Sequence, residues 1–151
     1  MKKVIYISPK MENSIRITFA MLLLIIGGVI YLIFRSEGLF MFQWVNFLQM
    51  DSAIHCLREM SSPISIPYFI KYNLPDGLWI SSYIITMDTI WRETSRIRKL
   101  VWCMSLPIIA IITEIMQLLN LLVGTYDFFD LLCYTIPTLA YLIQYGYGKT
   151  D

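Results

Sequence analysis

Four stretches of this chain are apolar enough to read as helices crossing a hydrocarbon layer. Residues 17–34 hold eighteen positions without a charge, which at about 1.5 Å per residue nearly covers a hydrocarbon core of about 30 Å. Residues 100–123 are interrupted only by Glu114, and in residues 129–147 every position from Leu131 to Tyr147 is uncharged. The remaining stretch, residues 74–91, carries Asp76 near its start and Asp88 near its end, leaving only Gly77 to Met87 free of charge. Hydropathy alone supports it weakly, and the distribution of basic residues has to argue for it. The first stretch exceeds the usual apolar core of a signal peptide, about 7 to 15 residues, and no small-x-small cleavage site follows it. It reads as an uncleaved anchor.

Lysine and arginine are retained on the cytoplasmic side of membrane proteins. With four spans, Lys2, Lys3, Lys10, Arg16, the loop of residues 92–99 (Arg92, Arg96, Arg98, Lys99) and Lys149 all fall inside, and only Arg35, Arg58 and Lys71 fall outside. Removing the second span would put the 92–99 cluster outside. The expected architecture is therefore an all-α, multi-pass membrane bundle of four transmembrane helices, one domain over residues 1–151, with both termini cytoplasmic. Trp91 and Trp102 flank the basic loop and Tyr145 and Tyr147 close the last helix, where amphipathic aromatics anchor at an interface.

Composition agrees with this reading. The chain is 57% hydrophobic and 15% charged, with a mean hydropathy of +0.60, far from an ordinary soluble domain. A formal net charge of +1 leaves no excess of basic groups to neutralise phosphates, so a nucleic-acid partner is not expected. The expected partners are membrane lipid, a cell-envelope precursor or another membrane protein.

The outer segment, residues 35–73, is too long for a turn. From Leu39 to Leu57 it mixes Phe40, Phe42, Trp44, Val45 and Phe47 with Gln43, Asn46, Asp51 and His55, which suits a helix lying in the outer interface or re-entering the bundle as a lid. Pro63 and Pro67 then break it, and Pro75 sits in the first turn of the second span, where proline is tolerated.

Helical spacing shows which polar groups can meet. Cys103, Pro107, Glu114 and Gln117 share one face of the third span; Asp127, Asp130, Tyr134, Thr138, Tyr141 and Tyr145 form a stripe on the fourth; Asp76, Trp79 and Tyr83 do likewise on the second. The short link after Asn120 makes the third and fourth helices antiparallel neighbours, bringing Glu114 and Gln117 towards Asp127 and Asp130. An acid inside a membrane span is costly and marks a functional site by default. The candidate ligand-binding residues are Glu114, Gln117, Asp127, Asp130, Asp76 and Tyr134. Asp76, Asp127 and Asp130 also lie in first helical turns, where capping and the helix dipole favour a carboxylate without further function. Asp88 and Arg92, four apart, suggest an ion pair at the inner end.

The run Glu114, Gln117, Gly124, Thr125, Asp127 and Asp130 ahead of a final apolar helix resembles the VanZ-like family of small bacterial membrane proteins, with an E-x-x-Q pair followed by a D-x-x-D-type pair. The likeness covers residues 107–142. This chain departs from the family in reading Gly124, Thr125, Tyr126 where an arginine often precedes the first aspartate, and Tyr134 and Pro137 where the last helix often has Asn and Gly. The resemblance implies an envelope role linked to resistance to teicoplanin-type glycopeptide antibiotics, and it supplies no reaction.

His55 and Cys56 have no HxxxH, HExxH or CxxC around them, so no metal, cofactor or nucleophile is assigned; Cys56, Cys103 and Cys133 form no disulfide framework. Three functions fit these residues: an outward-facing acidic site that binds an envelope molecule, an intramembrane acid/base enzyme acting on a lipid-linked group, or a helical subunit of a larger complex.

Overall fold

The computed structural model describes residues 8–147, so Lys2, Lys3 and Lys149 lie outside the described residues. Those described are all-α, with no strand. Helix α1 (Pro9–Phe34) starts eight residues before the charge-free run, because the Ser8 hydroxyl caps it by accepting from the Met11 amide and Pro9 occupies its first turn. It ends where Arg35 turns extended. Three short helices follow, α2 (Phe40–Phe47), α3 (Asp51–Ser61) and α4 (Tyr68–Tyr72). The single interfacial helix expected over residues 39–57 is thus two, because Gln49 adopts a left-handed φ of 56° between them. Then come α5 (Leu74–Ile90), α6 (Arg96–Leu118) and α7 (Phe128–Tyr147). The third apolar stretch was expected to reach residue 123; it stops at Leu118 because Asn120 takes φ 56° and turns the chain.

Helices α1 and α6 are long and apolar enough to cross a membrane by length and composition. Helix α5, with the faintest hydropathic signal, is the centre of the fold and packs on α1, α4, α6 and α7. Its contacts with α1 are close: the Ser82 hydroxyl donates to the Ala20 carbonyl at 2.7 Å, and a Cβ on Gly27 would stand 2.6 Å from Trp79 Nε1. The apolar core joins Ile80 and Ile84 of α5 with Cys103 and Met104 of α6 and Tyr141 of α7.

Side-chain pairs fix the helix directions. Arg16 meets Asp88 and Arg35 meets Asp76, so α1 and α5 are antiparallel; Lys99 meets Asp88 and Arg96 meets Tyr145, so α6 runs with α1, and α7 with α5. The bundle has a basic end, holding Arg16, Arg92, Arg96 and Lys99, and an acidic end, holding Asp76, Glu114, Asp127 and Asp130. Helices α2 and α3 pack beside the end of α1, through Phe42, Val45 and Ile54 against Tyr31 and Leu32. At the acidic end α4 contacts both α1 and α5, and Asn73 bonds Asp130 of α7.

Candidate functional site at the acidic end

The acidic end is organised by a residue that the pattern of charges does not reveal. Asn73, at the start of α5 with no exposed surface, donates from Nδ2 to Asp127 Oδ2 at 3.1 Å and to Asp130 Oδ1 at 2.8 Å. Asparagine ahead of a helix commonly caps it, but this side chain makes no capping bond. It ties α5 to α7 instead. Its Oδ1 is buried with no partner, a polar group that costs free energy until a donor reaches it.

Asp127 does two things at once. Its Oδ1 accepts from the Phe129 amide at 2.8 Å and so caps α7, while its own amide donates to Glu114 Oε2 at 3.2 Å. Glu114 is buried on the α6 face that also buries Cys103 and Pro107, as its spacing indicated. Asp130 and Asp76 each lie in the first turn of their helices, close enough for their carboxyls to interact. Gly77 permits this approach of α5 to α7, since a Cβ there would lie 3.2 Å from that of Cys133. Tyr134 lies near Asp76, Asp130 and Glu114 and packs onto the apolar core.

Gln117 is placed differently from the expectation. It makes no hydrogen bond to these carboxyls and lies over Gly124, whose φ of +142° suits glycine and whose added Cβ would meet the Gln117 amide nitrogen at 2.6 Å. The stripe of Asp76, Trp79 and Tyr83 also divides. Trp79 turns to α1, with its ring 5.3 Å from that of Tyr31, and Tyr83 bonds Ser105 and the Trp102 carbonyl of α6.

Of the three basic residues near this end, only Arg35 faces the acids. Its guanidinium stands 3.9 Å from Asp76 and over the rings of Tyr31 and Tyr72 at 5.3 and 5.1 Å. Arg58 pairs with Glu37 and the Leu32 carbonyl, and Lys71 lies over Tyr72. Four carboxyls therefore share one guanidinium. Among the described residues no group of three or more His, Cys, Asp or Glu is arranged to hold a metal ion. His55 faces Glu59 one turn along α3, on a helix that packs beside α1.

At the basic end the expected Asp88–Arg92 pair does not form. Helix α5 ends at Ile90, so Arg92 lies past its last turn and turns to Glu12 at 3.0 Å and Asn13 at 2.7 Å. Asp88 is held by Arg16 at 2.6 Å, Lys99 at 2.9 Å and the Tyr141 hydroxyl at 3.0 Å. Trp91 and Trp102 stack at 5.3 Å with ring planes 9° apart.

No protein family, curated protein or solved structure matches this chain.

Proposed function

We propose that this chain is a four-helix protein of a bacterial inner membrane, VanZ-like in role, whose acidic end forms an outward-facing site for a cationic envelope molecule. Support for the bilayer comes from the apolar side chains left exposed along the helices, among them Phe19, Leu22 and Ile25 on α1, Ile108, Ile109 and Ile112 on α6, and Ile136 and Ile143 on α7. A monomer in water rarely exposes so much contiguous apolar surface. Helices α5 and α7 run beside α1 and α6 between the same two ends, which supports reading them as spans too. The concentration of Arg16, Arg92, Arg96, Arg98 and Lys99 at one end supports a cytoplasmic orientation of that end.

The observation that carries the site is the convergence of Asp76, Glu114, Asp127 and Asp130 at buried Asn73, with Arg35 as the single cation facing them among the described residues. Carboxyls in excess, beside an unpartnered amide oxygen, favour a ligand that brings both positive charge and hydrogen-bond donors. A protonated amine has both. The classes that fit are an amine-bearing lipid head group, a cell-wall precursor, or a glycopeptide-type antibiotic, whose capture would contribute to resistance.

The test is native mass spectrometry with thermal melting of the detergent-solubilised wild type, Glu114→Gln and Asp130→Asn. Loss of a bound species from folded variants is the expected result. Melting temperatures that fall while nothing bound is lost would make the carboxyls structural and overturn the site.

A further inference from the structure

The opposite end of the bundle holds a cavity of about 440 Å³ lined by Arg16, Arg92, Arg96 and Lys99, with Asp88 as the acid among them. Counting Glu12, which pairs with Arg92 and Arg16, these four cations face two acids among the described residues. Arg96 is the least engaged, since it is exposed and holds only the ring and carbonyl of Tyr145. Clusters of basic groups between helices at the cytoplasmic face suit phosphate-bearing lipid head groups, and guanidinium forks match phosphate oxygens in pairs.

The cavity does not end among these charges. Through Arg16, Asp88, Tyr141 and Gln144 it shares its wall with a space of about 290 Å³ beside Ile84 and Ile85. Ile84, Ile85, Tyr141 and Gln144 in turn border a cleft of about 520 Å³ between α5 and α7, lined mainly by apolar residues such as Ile136, Pro137 and Ala140. A charged mouth thus continues into an apolar groove running along two parallel helices towards Gly77 and Cys133. Both halves of an amphiphile find their complement in sequence along one path.

We propose that this path holds an anionic phospholipid, with its phosphate among Arg92, Arg96 and Lys99 and one acyl chain in the α5–α7 groove. The site rests on the bilayer reading given above and is independent of the ligand at the acidic end. An ion-pair cluster serving only to join helices accounts for Arg16, Lys99 and Asp88, and leaves the Arg96 charge without an acid among the described residues and the continuous groove without a role.

The test uses the full chain in detergent, titrated with phosphatidylglycerol, phosphatidylcholine and glycerol phosphate and read by native mass spectrometry and melting temperature. Phosphatidylglycerol should bind at least about ten-fold more tightly than phosphatidylcholine, less so at high salt. Removing one charge by Arg96→Gln should weaken it about five-fold. Ala140→Phe, which fills the exposed groove without touching a charge, should weaken both lipids. Equal binding of the two lipids overturns the site, as does glycerol phosphate competing as well as the whole lipid, or Ala140→Phe leaving phosphatidylglycerol unaffected. A chain released from membranes by alkaline carbonate without detergent overturns the bilayer reading itself; one that needs detergent but shows no lipid preference overturns this site alone.

Discussion

Asn73 bonds Asp130 at 2.8 Å across the α5–α7 contact although the two lie 57 residues apart. The amide also holds Asp127, so a single neutral side chain keeps two carboxyls in place at the start of α7. Asn73→Ala should destabilise the detergent-solubilised chain by about 1 to 2 kcal/mol, because it leaves two half-buried acceptors short of a donor. Thermal or denaturant unfolding reads this directly. A loss below about 0.5 kcal/mol, the scale of an ordinary surface substitution, would mean that the carboxyls find other donors.

At the other end, Asp88 joins α1, α6 and α7 through Arg16, Lys99 and Tyr141. Asp88→Asn should cost about 1 to 3 kcal/mol, less than for a fully buried pair because Arg16 and Lys99 keep some solvent. The double variant with Lys99→Gln should cost less than the two single changes added together, with a coupling of about 0.5 kcal/mol or more. Strict additivity in that cycle would show that the two side chains do not interact.

Gly27 and Gly28 are neighbours in sequence with opposite surroundings. A Cβ on Gly27 meets Trp79 at 2.6 Å, whereas one on Gly28 finds only the end of Met41 at 4.0 Å. Gly27→Ala should therefore destabilise by about 1 to 3 kcal/mol through forced separation of α1 and α5, while Gly28→Ala should be neutral or stabilising by about 0.5 to 1 kcal/mol. Comparing the two melting curves checks the closest helix contact in the fold. Matching curves would exclude it.

The three thiols offer a test of the proposed topology. Cys56 is exposed on α3, and Cys103 and Cys133 are buried. In intact cells a membrane-impermeant maleimide should modify Cys56 alone, and Cys56→Ser should abolish the signal. Protection of Cys56 until the cells are opened would invert the orientation.

Much of this fold was legible because charge-free runs admit few readings. α1 and α7 were marked by them, and Glu114 was placed in the interior by its spacing from Cys103 and Pro107. Helix α5 was harder. Asp76 and Asp88 depress its hydropathy, so only the positions of basic residues elsewhere in the chain argued for it, and nothing local showed that it would be the central helix. Asp88 and Arg92 misled for a local reason: four-residue spacing means adjacency only while the helix continues, and this one stops at Ile90. Asn73 was hidden because an uncharged residue ahead of Leu74 and Pro75 resembles a routine helix start. Its partners lie on α7, beyond the reach of any periodicity. Gln117 shares Glu114's face, but its amide lies against Gly124 instead.

The pairing of α5 with α1 also bears on how the chain is made. Asp76 and Asp88 are the acids that set α5 against entering hydrocarbon, and Arg35 and Arg16 lie across from them on a helix synthesised earlier. When α5 leaves the ribosome, a counter-charge already waits for each of its acids, one at each end of the helix. A nascent chain stopped at residue 95 contains both pairs in full, so under the proposed topology α1 and α5 would enter the bilayer as an electrically matched hairpin before α6 and α7 exist.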